Sequence, residues 1–155
     1  MKKMDLRKQF FKQMIELAKD PNVMLLTGDL GYSFCEEFAK KYPKQFINCG
    51  IAEQNMIGVA AGLALGGKKP YAYSGSIFLI ARPYEQVRDE IAYNKLDVKL
   101  VGTGASPFLG FSHNWTGTEN EEDLLKNLPI NRFYPKDEAE LHIALTSIGG
   151  AYIRI

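Results

Sequence analysis

The chain is expected to fold as an α/β protein, with about six mostly parallel strands in a three-layer arrangement and helices on both faces. Short β-rich runs alternate with helical patterns along the whole length, and such alternation implies a parallel sheet covered on both sides. No repeat, low-complexity tract or Gly/Ser linker divides the sequence, and 155 residues suffice for one core, so residues 1–155 are read as a single domain.

The elements follow in order. A first helix is expected over residues 5–19, where Phe10, Phe11, Met14, Ile15 and Leu17 form an apolar face among lysines. The apolar run 23–27 reads as a strand, 36–41 as a short helix and 46–48 as a second strand. Residues 52–65 form a helix that is apolar on every side, as expected of one enclosed in a core. Strands at 71–74, 98–102, 130–134 and 151–155 alternate with helices at 78–95, 121–127 and 138–148. In such a sheet ligands collect beyond the carboxyl ends of the strands, which is where Gly28-Asp29, the stretch 49–53, the stretch 74–78 and the stretch 103–114 fall. The irregular segment 102–120 holds four glycines, a proline, the only tryptophan and His113; an irregular stretch of that length in a compact domain is usually functional or disordered. His142, on the last amphipathic helix, is expected to face solvent.

Composition narrows the function. Lys and Arg total 19 against 18 Asp and Glu, and a net charge of +1 gives no electrostatic case for nucleic acid or a membrane surface. Cys35 and Cys49 stand alone, without the spacing of a zinc site or a disulfide framework, which fits a reducing, cytoplasmic setting. The lysine-rich N-terminal stretch lacks the uninterrupted apolar core of a signal peptide or membrane span, so a soluble protein is expected. Small molecules and other proteins are the expected partners.

Chemistry concentrates in Gly50-Ile51-Ala52-Glu53-Gln54-Asn55, which sets one acidic residue at the mouth of an apolar helix rich in Gly and Ala. A desolvated carboxyl holds its proton more tightly than an exposed one and can donate it or share it with a bound base near neutrality. The competing reading makes Gly50 the helix cap and leaves Glu53 to satisfy first-turn amides and the helix dipole.

The surrounding words decide between these readings. The runs Phe46-Ile47-Asn48-Cys49-Gly50-Ile51-Ala52-Glu53-Gln54, Ala60-Ala61-Gly62-Leu63-Ala64, Gly67-Lys68-Lys69-Pro70 and Ser76-Ile77-Phe78 resemble the pyrimidine-binding domain of the transketolase family of thiamine diphosphate enzymes. The likeness runs from about Arg7 to Ile155. It implies the pyrimidine type of the thiamine diphosphate-binding fold, and it implies roles for particular residues. The glutamate matching Glu53 hydrogen-bonds the N1′ ring nitrogen of the cofactor's aminopyrimidine and so favours the imino tautomer, whose nitrogen deprotonates the thiazolium carbon; the cofactor performs the carbanion chemistry. Phe78 resembles the aromatic residue on which the aminopyrimidine stacks, and Tyr84 a second aromatic residue near that ring, although Ala81 stands where many members carry a further Phe. Both also fit core aromatics of a helix.

The same resemblance implies a place near the cofactor for Asp29, for which a turn between glycines is an equal explanation. It implies a substrate-facing place for Arg82, in a register one residue off from its relatives, against the alternative of a surface arginine pairing with Glu85. His113 resembles the histidine that relatives place over the thiazolium to bind or shuttle protons of the substrate, work suited to a group that titrates near neutrality. Here residues 115–121 intervene before Glu122-Asp123, a departure from the pattern that bears on the reaction.

The Gly-Asp-Gly start with which family members hold diphosphate and magnesium has no counterpart in this sequence, nor has the family's usual last domain. No metal ligand is assigned here. The resemblance therefore implies the pyrimidine half of a split transketolase, resembling its C-terminal subunit. A separate diphosphate-binding subunit would hold Mg2+ with thiamine diphosphate across a large apolar interface, in a hetero-oligomer such as a heterotetramer. The expected reaction is transfer of a two-carbon ketol unit between sugars. A decarboxylase or acyl-transferring subunit using the same cofactor, and a non-catalytic interaction domain, are the alternatives.

Overall fold

The computed structural model describes residues 5–104, 115 and 120–155. Six strands pair in the order β2-β1-β3-β4-β6-β5, every neighbouring pair parallel: β1 (Val23–Thr27), β2 (Phe46–Asn48), β3 (Lys69–Gly75), β4 (Lys99–Thr103), β5 (Asn131–Phe133) and β6 (Ala151–Arg154). Register brings Thr27 level with both Asn48 and Tyr73, and Gly75 level with Thr103, so the strands end along one rim.

Helices cover both faces because successive side chains of a strand point to opposite sides. From β1, Met24 and Leu26 pack with Met56, Ile57 and Ala60 of α3 (Glu53–Leu65), while Val23 and Leu25 pack with Phe10 and Met14 of α1 (Leu6–Leu17). On the α1 side lie α2 (Glu36–Lys41), through Phe38, and α7 (Glu138–Leu145), through Leu141, Ala144 and Leu145. On the α3 side lie α4 (Ser76–Ile80), α5 (Tyr84–Gln86) with the π-helical turn Val87–Tyr93 that continues it, and α6 (Glu121–Leu125). Asp5 caps α1 by accepting from the Arg7 amide, Asn120 and Asp123 form a capping box on α6, and Asp137 caps α7 by accepting from the Glu140 amide. Among the described residues no helix is long and apolar enough to cross a membrane.

Two expectations fail on this side of the sheet. The helix expected over residues 78–95 is broken after Ile80 and restarts at Tyr84. Pro83 supplies no amide hydrogen for a helical bond and disfavours helical dihedrals in the residue before it. Nor is α3 enclosed: Met56, Ile57 and Ala60 are fully buried, yet Gln54, Asn55 and Gly62 are exposed and Ile51 and Leu65 are 74% and 75% accessible. Its apolar periphery is a surface of the isolated chain. His142 is exposed as expected, its Nδ1 lying 3.2 Å from Oε1 of Gln13.

Close packing near the rim rests on Gly102. A Cβ there would lie 2.8 Å from the Tyr152 hydroxyl, 2.9 Å from Cε2 of that ring and 3.2 Å from Cα of Ser76. A core that tight relaxes poorly around an added methyl group. Gly102→Ala is expected to lower the unfolding free energy by about 1–3 kcal/mol, read as a fall in the urea midpoint; an unchanged midpoint would contradict this packing.

Candidate active site

The strand order creates a crevice before any side chain is considered. From β1 the chain moves to β2 on one side and then crosses to β3 on the other, so the connections diverge at the carboxyl ends of β1 and β3. Gly28 follows β1 there, beside Ser74 of β3. The start of α3 returns Glu53 to the same spot. A Cβ on Gly28 would sit 3.2 Å from Ser74 Oγ and 3.5 Å from Glu53 Oε1.

Asn48 shapes the two loops that meet at this point. Its Oδ1 accepts from the amides of Asp29 (3.2 Å) and Gly50 (2.9 Å), and its Nδ2 donates to Oδ1 of Asp29 at 2.9 Å. Asp29 adopts a left-handed conformation (φ 57°), and Gly50 does so at φ 70° without the cost a side chain would bring. Gly50 is thus a turn residue and does not cap α3; Ala52 precedes the helix, with no side-chain cap bond. The chain reverses sharply and delivers Glu53 as the first helical residue.

Glu53 does not serve the first-turn amides in the way a capping glutamate would. Its side chain is 3% exposed, and Arg82 Nη1 donates to both carboxylate oxygens at 3.0 Å each. The Arg82 guanidinium also lies over the Phe78 ring, its Cζ 4.0 Å from the ring centroid. The pairing of Arg82 with Glu85 weighed from the sequence is replaced by this long-range one, because the break at Pro83 lets the arginine reach back to α3. The Arg82 side chain is 37% exposed and borders a cleft lined by residues 51–55.

Ser74 is fully buried, and its hydroxyl has no hydrogen-bond partner among the described residues. A buried polar group without a partner is costly and calls for an explanation. It faces Gly28, where a Cβ would press on it at 3.2 Å. In the sequence the stretch 74–78 falls at the rim and Asn48 within a family-like run, but neither Ser74 nor Asn48 is assigned a role of its own there.

Asp29 occupies the rim as expected, but its carboxylate braces the loops: Asn48 and the Tyr32 hydroxyl both donate to Oδ1, the latter at 2.8 Å. These bonds, Asn48 first and Tyr32 second, hold its carboxyl below the usual aspartate range. Tyr84 opens α5 after Pro83 and is half-buried. Cys49 is half-buried next to the site, and desolvation pushes its thiol up. His113 lies outside the described residues. Among the described residues no group of three or more His, Cys, Asp and Glu side chains is placed to hold a metal ion.

Residues 2–148 match the family described as the transketolase pyrimidine-binding domain. The chain belongs to this family. Among the family's curated members, an apulose-4-phosphate transketolase subunit of Phocaeicola vulgatus is 40% identical over 113 residues, covering 70% of this chain and 36% of that protein. The 6-deoxy-6-sulfo-D-fructose transketolase subunit SqwH of a Clostridium species is 34% identical over 157 residues, covering 97% and 49%. The solved structure described as a split-gene transketolase, an inactive beta4 tetramer, superposes with a TM-score of 0.81 at 37% identity, over 96% of this chain and 50% of that one. The chain therefore spans about a third to a half of the length of these relatives.

The clasp by Asn48 makes a pH-dependent contribution of known sign. The folded-state carboxyl of Asp29 titrates lower than an unfolded one, so its bonds contribute stability above the ordinary aspartate pKa, lost as pH falls through the depressed value. Asn48→Ala is expected to bring the Asp29 titration, followed by NMR, back toward the ordinary range. An unmoved titration would show that Asn48 does not set it.

Proposed function

We propose that this chain supplies the pyrimidine side of a thiamine diphosphate-dependent transketolase that transfers a two-carbon ketol unit between sugars or sugar-like substrates. A separate diphosphate-binding chain would complete the site, in a cytoplasmic hetero-oligomer such as a heterotetramer. The observation that carries the reading is Glu53: a carboxyl group 3% exposed, at the switch point of a parallel sheet, in a chain of the transketolase pyrimidine-binding family. The relatives named as transketolase subunits support the division of labour.

The residues present fit the pyrimidine half of the cofactor. At Gly28 even a Cβ would crowd Glu53 Oε1 and the unpartnered Ser74 hydroxyl, and Phe78 presents its ring to Arg82, the residue paired with that carboxyl. Glu53 would meet the ring nitrogen, Phe78 would stack on the heterocycle with Tyr84 beside it, and Ser74 would offer a hydrogen bond from the floor of the site. When bound, the cofactor supplies the carbanion chemistry of ketol transfer. The chain's own work is to hold a proton at Glu53, orient the ring and keep water from the carboxyl group.

The phosphate half needs other residues. A diphosphate with its magnesium requires several oxygen ligands and donors, and among the described residues Asp29 at the rim is committed to Asn48 and Glu121 to Arg154. We assign Mg2+ and the diphosphate to the partner chain. The exposed apolar residues Ile51 and Leu65 and the open surface at Gly62 along α3 give it a place to dock beside Glu53, which its own chain already keeps from water. We further assign a substrate-facing role to His113, a place near the cofactor to Asp29 and a single domain to residues 1–155.

Calorimetric titration of thiamine diphosphate with magnesium tests the reading. Binding is expected only when a co-encoded diphosphate-binding chain is mixed in; tight binding by this chain alone would contradict the split site. In the reconstituted mixture Glu53→Gln is expected to lower turnover on the order of 10²–10⁴-fold, the range for loss of a positioned proton-transfer group, with an unchanged circular dichroism spectrum. Substantial turnover by that variant would refute the role of Glu53.

A further inference from the structure

We infer that Arg82 is a built-in stand-in for the aminopyrimidine, a latch that occupies the cofactor's ring site in the free chain and must leave before the cofactor can enter. The inference rests on the function proposed above and adds a competitor that neither the family nor its relatives' names assign. Arg82 makes the two contacts the proposed function reserves for the heterocycle. Its Nη1 donates to both oxygens of Glu53 at 3.0 Å, and its guanidinium plane carries Cζ 4.0 Å from the centroid of Phe78. A guanidinium is planar and delocalised, with N–H donors at its edge and a face that stacks on aromatic rings. A protonated aminopyrimidine shares the two features used here, a flat cationic face and an N–H donor at the ring nitrogen that would meet Glu53.

Burial shows why such a stand-in is useful. Glu53 is 3% exposed, and a carboxylate so desolvated is costly without a cation or donors. Arg82 supplies the cation from the solvent side, being itself 37% exposed. It stands on the short link between α4 and α5, which Pro83 separates, so it can swing away without unwinding a long helix. In the free chain the latch keeps the carboxyl paired; when the ring enters, the same carboxyl is handed to the cofactor. The cofactor's apparent affinity is then lowered by the fraction of chains in which Arg82 is engaged.

The experiment uses 4-amino-2-methylpyrimidine, the ring alone, titrated by NMR into the whole chain as wild type, Arg82→Ala and Arg82→Lys, with thermal melts confirming that each is folded. Arg82→Ala is expected to bind the ring about tenfold more tightly than wild type, as removal of a self-competitor populated near 90% would give. Arg82→Lys is expected to fall between them, because an ammonium group can pair with Glu53 but cannot lie flat on Phe78. Solvent exchange of the Arg82 guanidinium protons, slow in the free wild-type chain, is expected to speed up as the ring is added, and to be fast from the start in Glu53→Gln. Equal or weaker binding by Arg82→Ala would overturn the latch while leaving the cofactor reading in place. Absence of ring binding in every folded variant would also overturn the latch, while the cofactor reading stands or falls separately on binding in the reconstituted mixture.

Discussion

A carboxylate taken out of water must be met by a cation or by donors, and the region around Glu53 is arranged by that requirement. The residue is placed at the crevice of the sheet by topology, since β2 and β3 leave β1 on opposite sides. It is held there by a sharp turn that depends on the left-handed Gly50 and on Asn48, whose side chain ties the loop after β1 to the loop after β2. Its charge is met by Arg82, which reaches it only because Pro83 interrupts the helix that would otherwise carry the arginine elsewhere. A buried acid, a turn through a left-handed glycine and a helix break are therefore parts of one arrangement.

The same requirement bears on the proposed partner chain. Glu53 is shielded within its own chain, but the apolar outer side of α3 is not: Ile51 and Leu65 are exposed, and Gly62 has open space before it. Exposed apolar surface beside a dehydrated acid makes sense where a second chain closes over both. That division matches the chemistry, since the pyrimidine side needs a carboxyl group and an aromatic face, both present here, while a diphosphate and its cation need a set of oxygen ligands. Relatives named as transketolase subunits fit a family that divides the work in this way.

Much of this was legible in the sequence where local pattern decides structure. The runs Val23–Thr27 and Phe46–Asn48 are strands with the expected bounds, because apolar β-rich runs flanked by turns have few other solutions. Glu53 was legible because one acid interrupts an apolar helix among family words. What escaped depends on long-range geometry. The pairing of Arg82 joins residues 29 positions apart, whereas sequence reasoning offered it the nearby Glu85. Ser74 looks like any strand serine until Gly28 and Glu53 are seen around it. Gly50 sits where a cap could be, and only its dihedral angle and the start of α3 at Glu53 show a turn instead. The break at Pro83 was visible as a residue type but was outweighed by the apolar periodicity on both sides of it.

The central claim is that the Glu53 carboxyl group activates the cofactor, and exchange of the thiazolium proton of thiamine diphosphate for deuterium, followed by NMR, tests it without any knowledge of the substrate. In a mixture of this chain with the proposed diphosphate-binding chain, exchange is expected to be accelerated well beyond the free cofactor, and Glu53→Gln is expected to return it to near the free rate while the cofactor stays bound. Undiminished exchange in the variant would contradict the account.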